Sequence, residues 1–354
     1  MPAPPALTSR SYVMLDAATG SVIVEQDADQ PAEPASLTKL MTVYVALGEI
    51  AKGNLQKDEM VRISEKAWRT GGSRMFLEVG TEVSVEDLLG GIIVQSGNDA
   101  SVALAEHIAG SEEVFADMMN TEAARLGMTN THFVNATGWP AADHLTSASD
   151  MARLGLATLR NFPDHYARYA EKEFSYNGIR QPNRNRLLWR DRSVDGLKTG
   201  HTESAGYCLV ASALRDGQRL VTATMGAPSD EARFTDAQKL LNYGFRFYET
   251  AQLLGEGEVF ERHRVYGGAQ DTVGVGVAEQ LLVTVPRGSR ERLELTATRV
   301  EPLDAPLSAG QAVGSLRVTL EGDLLTAVPL ITLEPVAQGS LWQRLEDSVR
   351  RWLE

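Results

Sequence analysis

An α/β (α+β) domain, followed by a small all-β domain and a terminal amphipathic helix, is the fold this sequence predicts. Three observations predict it. Strand-like runs at both ends of the first 250 residues enclose a mainly helical middle. Beyond about residue 250 the texture changes to short strands punctuated by Gly and Pro. Residues 339 to 354 place apolar side chains at helical spacing.

Taken in order, Tyr12 to Leu15 and Val22 to Val24 are β-branched and aromatic-rich runs separated by Asp16-Ala-Ala-Thr-Gly20, which reads as a hairpin. Ser36 to Gly48 is an apolar helix with a Pro just before it and a Gly near its end. From about residue 50 to 170, helical patterns such as Val85 to Val94 and Ala100 to Ile108 alternate with Gly-rich turns. Strands return from Lys198. Gly206 to Ala213 and Leu220 to Met225 flank Asp216-Gly217, a two-residue hairpin signal. Glu231 to Tyr248 reads as a closing helix.

Short strands follow at Leu281 to Val285, Leu293 to Val300, Leu316 to Leu320 and Leu330 to Leu333. The expected organisation is a domain over 1–250, a β-rich domain over 251–336 and a helix over 337–354. In that helix Leu341, Trp342, Leu345, Val349, Trp352 and Leu353 form one stripe, with Arg344, Glu346, Asp347, Arg350 and Arg351 elsewhere.

Composition narrows the functional classes. With 43% hydrophobic and 23% charged residues the 354-residue chain is an ordinary globular protein, long enough for two cores. A net charge of -13 repels phosphate backbones, so nucleic acid is not an expected partner. The single cysteine, Cys208, excludes an intramolecular disulfide and reads as a buried strand residue. The six histidines include no HExxH arrangement, so neither a metal nor another cofactor is expected. The opening MPAPPALTSRSYVMLD lacks the basic and apolar segments of a secretion signal and is expected to be a mature N-terminus.

Three short motifs occur in order: Ser36-Leu-Thr-Lys39, Ser96-Gly-Asn98 and Lys198-Thr-Gly200. At average composition a chain of this length holds roughly one S-x-x-K and one S-x-N by accident, and Lys-Thr-Gly about once in ten such chains. A second S-x-N, Ser175-Tyr-Asn177, sits in a polar stretch before Gly178 and reads as a hairpin turn. The chemistry weighs more than the counts. Residues three apart share a helix face, so Lys39 presents its amine to the Ser36 hydroxyl. A lysine can take a serine proton only when neutral, which burial and a second nearby cation both favour. Lys198 is the expected second cation. Ser96 would then bridge the two lysines as a proton shuttle, and Asn98 would bind a substrate amide. Lys198 and Thr199 suit a carboxylate, with Gly200 small enough for substrate to lie against the strand. His201 would act through its backbone N–H, together with that of Ser36 at the helix start.

These residues resemble the penicillin-binding protein and serine β-lactamase superfamily, whose signatures are S-x-x-K, S-x-N or S-D-N, and K-T-G. The longer strings Pro34-Ala-Ser-Leu-Thr-Lys-Leu-Met-Thr42, Gln95-Ser-Gly-Asn-Asp-Ala100, Asp195-Gly-Leu-Lys-Thr-Gly-His-Thr202 and Tyr243-Gly-Phe-Arg-Phe-Tyr-Glu249 resemble the low-molecular-mass D-alanyl-D-alanine carboxypeptidases. The resemblance covers essentially the whole chain. It implies a transpeptidase-like domain with an antiparallel sheet flanked by helices plus a helical subdomain. It further implies Ser36 as the acylated nucleophile, Lys39 as base, Ser96 and Asn98 as the second motif, and Lys198 on the substrate carboxylate. Arg233 falls where some members carry a basic residue near that carboxylate. The implied partners are a peptidoglycan stem peptide ending in D-Ala-D-Ala, β-lactams as covalent inhibitors, and a membrane surface met by residues 339–354 in the periplasm.

Two rival readings stand beside this one. A class A β-lactamase needs a glutamate in E-x-x-x-N; Glu173-Phe-Ser-Tyr-Asn177 matches the string but lies too close to Lys198. A non-enzymatic wall-binding scaffold predicts a broken motif, and none is broken.

Overall fold

The computed structural model describes residues 2–300 and 302–353, with the side chains of Glu346, Ser348, Arg350, Arg351, Trp352 and Leu353 outside the description. The chain divides after Arg246 into two compact units.

The first unit is built on a five-stranded sheet of spatial order Val22–Gln26, Ser11–Asp16, Gln218–Ala227, Gly206–Arg215 and Val194–Thr202. Every neighbouring pair is antiparallel. The tightest connection is the predicted one: Asp216 and Gly217 both have positive φ, 48° and 83°, the twist a two-residue hairpin needs. Alternation along the strands sends Val13, Val210, Val221 and Ala223 to the main core. The helix Ala148–Asn161 covers that face, and Gly155 is where it comes closest: a Cβ there would lie 3.1 Å from both Leu197 and Val210. On the other face Gly244 of the closing helix Asp230–Phe247 meets Leu220 and Met14 in the same way.

The helical part surrounds Thr38–Ala51, whose residues from Thr38 to Leu47 are all buried. A helix apolar all round is a core helix, and this one is the axis of the unit. It runs three residues past Gly48, so that glycine does not end it. Asn98–Ala109 and Glu112–Arg125 pack beside it. Glu173–Tyr176 and Ile179–Pro182 form the expected hairpin, turning at Asn177 and Gly178. Glu173 there is exposed and paired with Arg180, 2.7 Å from its Nε.

The second unit contains a six-stranded sheet of order Leu293–Arg299, Ala312–Leu320, Asp323–Thr332, Thr272–Gly276, Val259–Tyr266 and Leu303–Asp304, and a pair formed by Tyr248–Leu254 with Leu281–Pro286. Strict alternation buries Leu281, Val283 and Val285. The terminal helix is Leu341–Leu353. Its Asp347 accepts a hydrogen bond from the Gly267 N–H at 2.7 Å, while Leu341, Trp342, Leu345 and Val349 are exposed. The remaining stripe residues, Trp352 and Leu353, have side chains outside the described residues. Among the described residues no helix is long and apolar enough to cross a membrane.

Candidate active site

Ser36 lies in a 3-10 turn, Ala35–Leu37, immediately ahead of the core helix rather than in its first α-helical turn. Ala35 has φ 46°, a left-handed conformation that a residue with a side chain adopts only under constraint. Two glycines supply the constraint. Gly138, φ 83°, crosses the turn so closely that a Cβ would sit 1.7 Å from the Ala35 carbonyl oxygen. Gly200 approaches from the sheet, where a Cβ would lie 3.0 Å from Pro34 O and 3.2 Å from Leu37 N. Its missing side chain lets the edge strand lie against the turn that carries Ser36.

Lys39 Nζ is 3.0 Å from Ser36 Oγ and donates to Thr137 O at 2.5 Å. Its side chain is fully buried. Burial lowers its pKa to about 7, and the Asp99 carboxylate partly opposes that shift. The carbonyl that receives Lys39 is held by Asn135, whose Oδ1 accepts from the N–H groups of Thr137, Gly138 and Trp139 at 2.8 to 3.2 Å. Thr42 Oγ1 fixes the preceding peptide by donating to Ala136 O at 2.7 Å. On the neighbouring turn of the helix, Thr38 Oγ1 is 2.8 Å from His144 Nε2. His144 Nδ1 accepts from Val134 N–H, so the proton sits on Nε2 and is donated to Thr38. Burial keeps that imidazole neutral, with a pKa lowered to about 4.

Ser96 and Asn98 come from a conformational switch in the chain. The helix Val85–Gly90 widens into a π-type turn over Gly91–Gln95 and stops at Ser96, φ 65°, before Asn98–Ala109 begins. Such widened turns concentrate at functional sites because they re-aim a side chain. Asn98 Nδ2 donates to Gly71 O at 2.8 Å. Asp99 accepts from the backbone N–H groups of Met75, Phe76 and Leu77 at 2.8 to 3.1 Å, fixing the loop that contributes Ser73 to the cleft.

Lys198 belongs to an edge strand yet is buried, donating to Ser96 Oγ at 2.9 Å and to Thr199 O at 3.1 Å. Its pKa falls well below the usual lysine value through burial, then through Lys39, Arg233 and Arg184. Burial is the first cause of the Lys39 shift, and the like charge of the two lysines, which acts on both, stands among the causes that lower Lys198. The Ser96 hydroxyl accepts from Lys198, and among the described residues no hydrogen bond joins it to Lys39. Thr199 is buried beside it, and the exposed His201 stacks its ring on Tyr207 at 3.9 Å. Arg233, from the closing helix, is buried behind the strand and donates to Gly200 O at 3.0 Å. Cys208 is buried as expected, and burial raises its thiol pKa to about 11.

The structure thus brings Ser36, Lys39, Ser96, Asn98, Lys198, Thr199, Gly200, His201 and Arg233 into one neighbourhood. Ser36, Asn98 and His201 line a cleft of about 650 Å³. Sequence reasoning missed Asn135, Thr137, Gly138 and His144, which position Lys39 and the Ser36 turn. Asn135-Ala-Thr-Gly138 carries a turn signature, the one cue that could have pointed there.

A serine hydroxyl facing an amine whose pKa burial has brought down to about 7 can add to a carbonyl while the neutral amine takes its proton, which is the chemistry of acyl-enzyme serine hydrolases. Residues 1–229 match the family described as D-alanyl-D-alanine carboxypeptidase, and residues 248–338 match the penicillin-binding protein 5 C-terminal domain. The chain belongs to the D-alanyl-D-alanine carboxypeptidase family. It is 44% identical to D-alanyl-D-alanine carboxypeptidase DacC of Escherichia coli K12 over 98% of this chain and 88% of that protein. Among solved structures, penicillin binding protein 5 from Haemophilus influenzae superposes with a TM-score of 0.91 at 39% identity, over 96% of this chain and all (100%) of that one. Penicillin-binding protein D2 from Listeria monocytogenes in its ampicillin-bound form gives 0.64 at 28% identity, over 69% of this chain and 100% of that one.

The Gly138 contact generates a sharp expectation. Gly138→Ala drives a methyl group into the Ala35 carbonyl, so Ser36 acylation by a penicillin falls at least tenfold while the folded circular-dichroism spectrum is retained. Acylation at the wild-type rate would show that the turn does not depend on this contact.

Proposed function

We propose that the protein is a serine D-alanyl-D-alanine carboxypeptidase that removes the terminal D-alanine from peptidoglycan stem pentapeptides through an acyl-enzyme on Ser36. One observation carries the reading: a fully buried Lys39 amine, with a pKa near neutrality, 3.0 Å from the Ser36 hydroxyl. Neutral Lys39 takes the proton as Oγ adds to the penultimate carbonyl. The backbone N–H groups of Ser36 and His201 receive the oxyanion. Collapse breaks the C–N bond as the proton taken by Lys39 passes to the departing amine by way of the Ser96 hydroxyl, which Lys198 orients, and Lys39 is left neutral again. Water then adds to the ester under the same base and frees Ser36. Asn98 holds the substrate amide.

The cationic cluster of Lys198 and Arg233, with the Thr199 hydroxyl, attracts the terminal carboxylate of the peptide or the carboxylate of a β-lactam. Arg233 Nε has no hydrogen-bond partner, which leaves that guanidinium with an unused donor in this cluster. Against the lactamase alternative, Glu173 is engaged with Arg180 on an exposed hairpin. Mixing with a penicillin and measuring intact mass tests the reading: the wild type gains one adduct that accumulates, Ser36→Ala gains none, and Lys39→Ala acylates about 10²- to 10⁴-fold more slowly. No adduct on the wild type removes the enzyme reading. Rapid penicillin hydrolysis without accumulation favours the lactamase.

The reading places the protein in the periplasm, on the membrane surface. The terminal helix supports this, because its polar Asp347 faces its own domain while Leu341 and Trp342 remain 79% and 81% exposed. Its basic and acidic residues balance, so apolar burial rather than attraction to anionic lipid is the driving term. Protein carrying residues 339–354 should co-sediment with zwitterionic vesicles and a form ending at residue 338 should not. Equal binding by the two forms contradicts the anchor.

A further inference from the structure

The cleft carries a charge that acyl transfer does not use. Among the described residues lining it, Glu203 is the one Asp, Glu, Lys or Arg side chain. It is exposed and forms no ion pair among the described residues. The segment beneath it is fixed. Ala205 N–H donates to Thr202 Oγ1 at 3.0 Å, and Ser204 Oγ donates to Glu33 at 2.5 Å. Arg10 directs its guanidinium to the backbone, donating to Ala205 O at 2.6 Å and Ser204 O at 3.2 Å. Glu203 is thus held on a hydrogen-bonded turn with its carboxylate uncommitted among the described residues, while Glu33 and Arg10, of opposite charge, hold that turn.

Trp139 also lines the cleft, and its indole is 57% exposed. Its position is built in, because Asn135 receives the Trp139 N–H at 3.2 Å and donates to its carbonyl at 2.9 Å. A large aromatic face kept in water and an unpaired carboxylate in the same cleft both attract a cation.

Chain geometry says which part of the substrate meets them. A peptide whose terminal carboxylate lies by Lys198 and Thr199, and whose scissile carbonyl lies between Ser36 and His201, continues along the strand toward Thr202. Strand residues advance about 3.3 Å each, so the residue before the two terminal ones falls beside positions 202 and 203. We propose that Glu203 and Trp139 form a specificity subsite for a positively charged side chain on the residue immediately preceding the D-alanyl-D-alanine of the donor peptide. This rests on the acyl-enzyme reading of Ser36 and deepens it.

The test compares two peptides ending in D-Ala-D-Ala, one with lysine at the preceding position and one with Nε-acetyl-lysine, which keeps the length and removes the charge. The readout is the ratio of their kcat/KM values within each protein, so a general loss of activity cancels. The wild type should prefer the free amine about 3- to 10-fold, equivalent to about 0.7–1.4 kcal/mol, with the preference shrinking at high salt. Glu203→Gln should bring the ratio to about one and Glu203→Lys should invert it. Trp139→Ala should reduce it partway. A wild-type ratio of one, or an unchanged ratio in Glu203→Gln, overturns the subsite. Penicillin acylation of the wild type, measured in parallel, separates the two levels: acylation without discrimination overturns the subsite alone, whereas no acylation overturns the reading beneath it as well.

Discussion

A lysine amine taken out of water organises the catalytic unit. Lys39 is fully buried in the first turn of a helix that is itself the axis of the core, so its charge cannot be solvated where it sits. The surroundings answer with a carbonyl, Thr137 O, and a hydroxyl, Ser36 Oγ, instead of a carboxylate partner. That choice matters energetically. A carboxylate in contact would pin the ammonium and raise its pKa, whereas a carbonyl and a hydroxyl can be hydrogen-bonded by either protonation state. Asp99 is the nearest counterweight, and its oxygens are occupied by the N–H groups of Met75, Phe76 and Leu77.

Around that amine, the unit converges three pieces of chain distant in sequence. The 135–138 turn delivers the carbonyl, the edge strand delivers Gly200 against the Ser36 turn, and the π-type turn delivers Ser96 to Lys198. The two glycines act as spacers: a Cβ at Gly138 would overlap the nucleophile's turn at Ala35, and one at Gly200 would crowd it at Pro34 and Leu37. Lys198 then sits beside the guanidinium charges of Arg233 and Arg184, which suit the site to an incoming anion.

Much of this was legible in the sequence because it is local. The three-residue spacing of Ser36 and Lys39, the Asp216-Gly217 hairpin and the apolar stripe of the terminal helix are set by backbone periodicity and turn chemistry. The region from His132 to Leu145 was not legible. It has no helical or strand period, is tied down by isolated bridges and side-chain-to-backbone bonds, and acquires meaning only when folded against Thr38 and Lys39. The same limit applies to burial and to close contacts. Sequence spacing shows that a second cation exists but not how deeply the first is buried, and it shows that Gly200 is small but not that Pro34 and Leu37 occupy the space beside it.

The central claim is that burial brings the Lys39 pKa down to about 7, and the pH dependence of second-order acylation by a penicillin tests it most directly, because that constant reports the free enzyme. Protonated Lys39 cannot accept the serine proton, so with a pKa of about 7 the rate should fall about tenfold per pH unit below neutrality and level off above it. A midpoint near 10 would contradict the account.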